Sequence, residues 1–246
     1  NDNVGGNLQD HLGINYYYRA SEPTINNQLS PWWGKLLQGA RYILTRKGPL
    51  SLGINQCGGF IRSRDGLRAP DQQLYLNPVS YTTVPEGTRS VINPDPWPGF
   101  ILCFQPCRPS SRGRIDIASP DPSEAPKIVP NYLSTDKDIE DVIAGGHLIQ
   151  RMAKTQTIQK FSTEATAPDI LTLDDEAIVE DFRKRCSTVF HPTSTCRMGA
   201  DAQTAVVDPD LKVFGVDSLR VVDASVFPNL TSGNTNAPSL MVGRQA

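Results

Sequence analysis

The run from Phe190 to the C-terminus constrains this chain more than any other stretch, because three chemistry-bearing signals follow one another there in a fixed order. It contains FHPTSTCRMGA, then VVDPDLKVFGVDSLRVVDASVFP, then SGNTNAPSLMVGRQA. His191 follows Thr188, Val189 and Phe190 and precedes Pro192. A following proline biases a residue toward an extended backbone and so fixes where its side chain points. Histidine is the usual general base near neutral pH, and this is one of only 3 in the chain, with His11 and His147. Leu219 to Asp223 is an apolar run ended by an acid, which predicts a strand. Its carboxyl end, Asp223-Ala224, would then lie where α/β folds gather ligands. Asn234-Thr235-Asn236-Ala237-Pro238 precedes the apolar Leu240-Met241-Val242. That pattern predicts a helix start with proline in the first turn, and the exposed N–H groups of such a start suit an anion or a developing negative charge. Taken singly, each signal also has a plain structural reading: a packing histidine, a turn that ends a strand, an ordinary capped helix.

Bulk properties narrow the classes. The chain has 246 residues, which suggests one or two domains. The net charge is -2 without a basic block, so neither nucleic acid nor an anionic membrane is expected as a partner. The longest apolar run, GFILCF, falls far short of the roughly 18 residues of a spanning helix, so no membrane segment is expected in this part. The 5 cysteines are odd in number and include no C-x-x-C, which predicts buried free thiols in a reducing, cytoplasmic setting rather than a disulfide framework. Cys186, His191 and Cys196 lack a nearby fourth ligand and an ordinary zinc spacing, so no metal is expected. Asn229-Leu230-Thr231 matches a glycosylation triplet, a pattern common by chance.

Along the chain, NYYYRA, QLYLNP and GFILCFQ read as strands, and GRIDIAS as a half-buried strand that alternates Ile115 and Ile117 with polar residues. LGINQCGGFIR reads as a loop entering a strand, and 85–98 as a Pro-rich loop with Trp97 anchoring it. Trp33, Leu36, Leu37, Ala40, Ile43 and Leu44 recur at helical spacing, in a helix stopped by Gly48-Pro49. A second helix begins near Thr135, with Thr135 and Asp138 as a capping pair and Gly145-Gly146 weakening its middle. A third begins near Thr172, with Asp174, Asp175 and Glu176 first and Arg183, Lys184 and Arg185 last, matching the helix dipole.

As an ordered set these motifs resemble the C-terminal signature of the glucose–methanol–choline (GMC) oxidoreductases, in the manner of choline-dehydrogenase-like and aryl-alcohol-oxidase-like members. VGGNLQDHLG resembles a mid-chain element of that family, and CRPSSRGRIDIASPDPSEAPKIVPNYL the segment that opens its C-terminal homology region. The resemblance runs from Val4 to Gly243. It implies FAD and the oxidation of an alcohol, in which a histidine takes the hydroxyl proton while hydride passes to the flavin N5. By motif match that histidine is His191, and the second active-site position falls on Asn234, whose amide could donate to the alkoxide. Asp223 and Ala224 match contacts to the ribityl or pyrophosphate region, and Thr235, Asn236 and Pro238 match contacts near the isoalloxazine ring. The ending VGRQA departs from the family's acid-containing pattern.

The family's G-x-G-x-x-G turn is not in this sequence, and the chain opens on Asn1. The resemblance therefore implies a C-terminal half that needs its N-terminal FAD-domain half as partner, with a small-molecule alcohol as substrate. The expected class is α+β. Residues 1–12 would connect from the missing FAD domain, and 13–200 would form a substrate-binding domain with a mixed β-sheet and helices. Residues 201–246 would return to complete a Rossmann-like FAD domain. Three rival readings remain: a non-redox lyase of the hydroxynitrile-lyase kind, a photodecarboxylase-like enzyme centred on Cys107, and a non-catalytic binding fragment.

Overall fold

The computed structural model describes residues 1–53, 55–82, 93–166 and 168–246. The chain divides into two units. The first comprises Asn1–Gly13, Gln105–Val142 and Ser187–Ala246, the second Ile14–Phe104 and Ile143–Cys186.

In the second unit the continuous apolar run Gly99–Pro106 forms a strand buried along its length, as a strand covered on both faces must be. It pairs antiparallel with Leu12–Ala20, from Ile14 opposite Phe104 to Arg19 opposite Gly99. Gln72–Asn77 lies on its other side, followed antiparallel by the edge strand Cys57–Ile61. Ser162–Ala165 pairs antiparallel with Leu12–Ala20. Each of these registered ladders is antiparallel, where a mixed sheet was expected.

Helices Asp136–Ala153 and Asp175–Arg185 bring Ile149, Ile178 and Phe182 into the core with Ile101, Leu102 and Phe104, all fully buried. The Phe104 and Phe182 rings lie 5.5 Å apart, a tilted pair that adds to the area they bury. Gly145 and Gly146 sit at this contact, which accounts for two poor helix formers in mid-helix. A Cβ on Gly145 would come 2.3 Å from the Phe104 ring, and one on Gly146 2.7 Å from Ile178.

Asp174 caps the Asp175–Arg185 helix, accepting from the Ala177 N–H at 2.9 Å. Arg185 does more than complement the dipole: it pairs with Asp181, donates to the Asn15 carbonyl at 2.9 Å and lies over the Tyr16 ring. Trp97 packs under the Arg19 guanidinium, 4.6 Å from its ring centre, consistent with an anchor. The rest of the loop read over 85–98 lies outside the described residues up to position 92.

Three further expectations for this unit fail. The helix Trp32–Thr45 forms, but its apolar stripe faces outward, with Trp33 55% and Leu44 82% exposed. Periodicity reports that a helix is amphipathic and leaves open what covers the apolar face. The helix also ends before Gly48, with Arg46 in the left-handed region at φ 56°. Cys57 is exposed, because it lies on the edge strand, whereas Cys103 is buried as expected.

The first unit has its own small core, built from Val206, Val207, Leu211, Val226, Phe227 and Val242. The 194–198 segment runs beside 224–226, with Ser194, Cys196 and Met198 donating to the carbonyls of Ala224, Ser225 and Val226. Leu219 to Asp223 is not a strand, contrary to expectation. Its one bridge joins Arg220 to Lys212, and an apolar run without a partner ladder cannot become sheet. The GRIDIAS strand shrinks to Arg114–Asp116, paired with Lys127–Val129, and Ile117 is 87% exposed rather than half-buried.

The Thr135–Asp138 pair is half realised. The Thr135 hydroxyl accepts from the Asp138 N–H at 3.4 Å, but the Asp138 carboxylate turns to Ser110 and Ser111 instead of back to Thr135. Burial alone would raise the Asp138 pKa, but the four donors outweigh it and hold it below the usual carboxylate value.

Candidate active site

Three segments far apart in sequence converge within the first unit. Gln9 forms an antiparallel bridge with Thr193, and its side-chain carbonyl accepts from the Leu230 N–H at 3.1 Å. The 7–11, 191–198 and 224–234 stretches are thereby sewn together. Gly5 makes the first turn of this arrangement. Its φ is +83°, and a Cβ there would fall 1.9 Å from the Ile115 carbonyl oxygen, so no other residue fits.

His191 is buried, and its ring is held at both nitrogens. Nε2 lies 3.1 Å from the amide nitrogen of Asn234, and Nδ1 lies 3.0 Å from Nδ1 of His11. The two imidazoles meet edge to face, 5.2 Å between centres. His11 is fully buried, and its Nε2 lies 2.8 Å from the Cys107 carbonyl. The buried carboxylate of Asp10 joins the backbones of the two histidines. Its Oδ1 accepts from the backbone N–H groups of His11 and His191, each at 2.9 Å. Its Oδ2 accepts from the Tyr132 hydroxyl at 2.8 Å and from the Thr188 hydroxyl.

Burial pushes the His191 pKa below its ordinary value, against the opposing charge of Asp10. Burial is also the main cause for His11. There the hydrogen bond to Cys107 and the Asp10 charge oppose it and the neighbouring His191 adds to it, leaving His11 lowered as well. Both rings are therefore neutral at neutral pH, and the linkage has a definite sign. An unfolded histidine titrates near about 6.5. Because the folded values are lower, the unfolded chain binds protons first as the pH falls. Stability is fully present above about pH 6.5 and is lost as the pH drops through the folded pKa values. The urea midpoint should therefore fall between about pH 6.5 and 5, before carboxylates titrate. A midpoint flat over that range would contradict the buried neutral pair.

The remaining sequence-predicted positions surround the turn to the last helix. Asp223 is exposed and caps the short turn Ala224–Val226, accepting from the Ser225 N–H at 2.7 Å. The Ala224 carbonyl accepts from Ser194. Thr235 precedes the helix Asn236–Gln245, and Pro238 falls in its first turn. Among the described residues the side chain of Thr235 does not cap that helix start. Asn236 is exposed there and Pro238 half-buried.

The fit to a flavin is favourable on this chain's own side: a helix start and an exposed carboxylate lie in one unit with the His191–Asn234 pair. Among the described residues no cluster of three or more His, Cys, Asp or Glu could hold a metal. The sequence reading gave no role to Asp10 or His11. Their only signal was the NLQDH element, which motif matching recognised without assigning it a task. Cys107 is fully buried, and its carbonyl rather than its thiol meets His11.

The model of the GMC oxidoreductase family matches residues 109–243. An oxygen-dependent choline dehydrogenase of Vibrio vulnificus (strain YJ016) is 37% identical, over 99% of this chain and 42% of its own length. An alcohol dehydrogenase (acceptor) of Pseudomonas putida is also 37% identical, over 99% of this chain and 43% of its own length. Among solved structures, pyridoxine 4-oxidase from Mesorbium loti aligns with a TM-score of 0.77 at 25% identity, over 98% of this chain and 42% of that chain. A formate oxidase shares the fold, with a TM-score of 0.85 at 24% identity, over 99% of this chain and 46% of that one. This chain belongs to the GMC oxidoreductase family, and its likeness runs to the C-terminal part of such proteins. It spans about two-fifths of the length of the curated relatives it matches.

Proposed function

We propose that the protein containing this chain oxidises a small-molecule alcohol to an aldehyde or ketone with FAD. His191 is the general base in this reading. The observation that carries it is the pairing of a buried, neutral imidazole with an amide donor, His191 Nε2 to Asn234 Nδ2 at 3.1 Å. Bound FAD would supply the hydride acceptor at its N5. His191 takes the hydroxyl proton at Nε2 as negative charge builds on the substrate oxygen. Asn234 donates an amide N–H to that oxygen; it cannot accept a proton at neutral pH, so His191 is the only base of the pair. Thr235, Asn236 and Pro238, at the start of the last helix, would hold the flavin ring, and the partial positive charge of a helix start would favour a negatively charged flavin. Asp223 and Ala224 would hold the ribityl or pyrophosphate region.

In this reading residues 1–12 connect from an FAD domain, 13–200 bind substrate and 201–246 return to complete the Rossmann-like cofactor domain. Solved neighbours of similar fold include a formate oxidase from Aspergillus oryzae RIB40 studied for its FAD modification and an FAD-dependent oxidoreductase from Chaetomium thermophilum. The curated relatives' names include choline and alcohol dehydrogenases. The test is anaerobic mixing of the full-length, flavin-loaded protein with choline, an aliphatic primary alcohol and a benzylic alcohol. At least one should bleach the oxidised-flavin absorbance. Bleaching by dithionite but by none of these alcohols would remove the proposal.

A further inference from the structure

We infer that His11 is a positioning residue that fixes the tautomer of His191, so that the lone pair lies on Nε2. A carbonyl oxygen only accepts, so the 2.8 Å contact to Cys107 requires the proton of His11 to be on Nε2. A neutral His11 then has its lone pair on Nδ1. The 3.0 Å contact between the two Nδ1 atoms therefore needs its proton from His191. With the proton on Nδ1, a neutral His191 has a bare Nε2. That is consistent with the partner found there, the amide N–H₂ of Asn234 at 3.1 Å. Three contacts, read in order from Cys107 to Asn234, allow one proton arrangement for two neutral rings.

The arrangement has a consequence for proton uptake. When His191 gains a proton at Nε2 it becomes an imidazolium, and its Nδ1–H already donates to a neutral acceptor. No second proton moves and no bond at Nδ1 has to break. The ring is also kept from turning, since His11 itself is fully buried and anchored at its far nitrogen. Which nitrogen of a histidine carries the proton is set by the hydrogen bond the other one makes. Without His11 the Nδ1 proton loses its acceptor, and the ring can place it on Nε2, where the base would be blocked.

The use of Nε2 as a base rests on the proposed function; the tautomer does not, and the experiment separates them. Long-range proton–nitrogen correlation spectra of histidine-labelled, full-length protein would be recorded well above the ordinary histidine pKa of about 6.5. His191 should show a bare Nε2 and a protonated Nδ1, and His11 the reverse. His11→Leu should shift His191 toward the Nε2–H form and slow flavin reduction at saturating alcohol at least ~10-fold, with KM changed less. His11→Gln, whose amide can donate to Cys107 and accept from His191, should keep the wild-type tautomer and most of the rate. A wild-type His191 protonated on Nε2 would overturn the inference, as would an unchanged tautomer in His11→Leu. The wild-type spectrum decides the matter even if a variant fails to fold. Should the tautomers come out as stated while His191→Ala reduces its flavin at the wild-type rate, the positioning stands and the base assignment falls.

Discussion

Under the proposed function, replacing His191 with alanine in the full-length protein is expected to slow reduction of the flavin by alcohol at least ~10²-fold, the usual contribution of a positioned base. In the proposed mechanism alanine removes the group that takes the hydroxyl proton, and the partner at the imidazole Nε2, Asn234, offers only an amide. It also leaves the His11 Nδ1 without its 3.0 Å partner. Stopped-flow absorbance under anaerobic conditions measures the step directly, free of any later reoxidation. The loss should shrink at high pH, where solvent hydroxide and alkoxide share the task. Asn234→Ala tests the other half of the pair and should cost less, with flavin still bound. An Asn234→Ala protein that has lost its flavin would make Asn234 a cofactor-holding residue instead. Reduction of His191→Ala at the wild-type rate would remove His191 from the chemistry.

Asp10→Ala is expected to destabilise the fold by about 3–5 kcal/mol, the range for breaking a buried, hydrogen-bonded charge. One buried carboxylate receives four donors: the backbone N–H groups of His11 and His191 and the hydroxyls of Tyr132 and Thr188. Alanine leaves the two backbone groups unsatisfied where they cannot rotate away, at about 1–3 kcal/mol each. The hydroxyls can turn to other partners and contribute less. Asp10→Asn keeps an oxygen for the two backbone donors and should cost far less. Tyr132→Phe removes one rotatable donor and should cost about 1 kcal/mol. Urea denaturation of the three variants reads the order directly. If Asp10→Ala is no worse than Tyr132→Phe, the carboxylate does not hold the two histidine backbones together.

Parts of the fold are legible in sequence because local chemistry decides them. Gly99–Pro106 is apolar at nearly every position and could only be buried, and the Asp175–Arg185 helix carries its cap and its dipole charges within its own residues. The Gln156–Phe161 helix and the Ser162–Ala165 strand were not anticipated. Both are short and largely polar, and the strand exists because Leu12–Ala20 offers it a partner. The opposite error appears at Leu219 to Asp223, whose apolar run promised a strand and found no ladder to join. The stripe of Trp33, Leu36 and Leu44 promised a buried helix face and remains exposed.

The sequence by itself determined the order of the site: a histidine before a proline, an acid before a short turn, an asparagine before a helix start. Those follow from backbone rules that act over a few residues. Only the tertiary structure decided what His191 touches. Asp10 lies 181 residues from it and His11 180 residues, and neither periodicity nor turn chemistry relates positions so far apart. A hydrogen bond needs donor and acceptor within about 3 Å, and packing of the 7–11, 191–198 and 224–234 segments supplies that proximity.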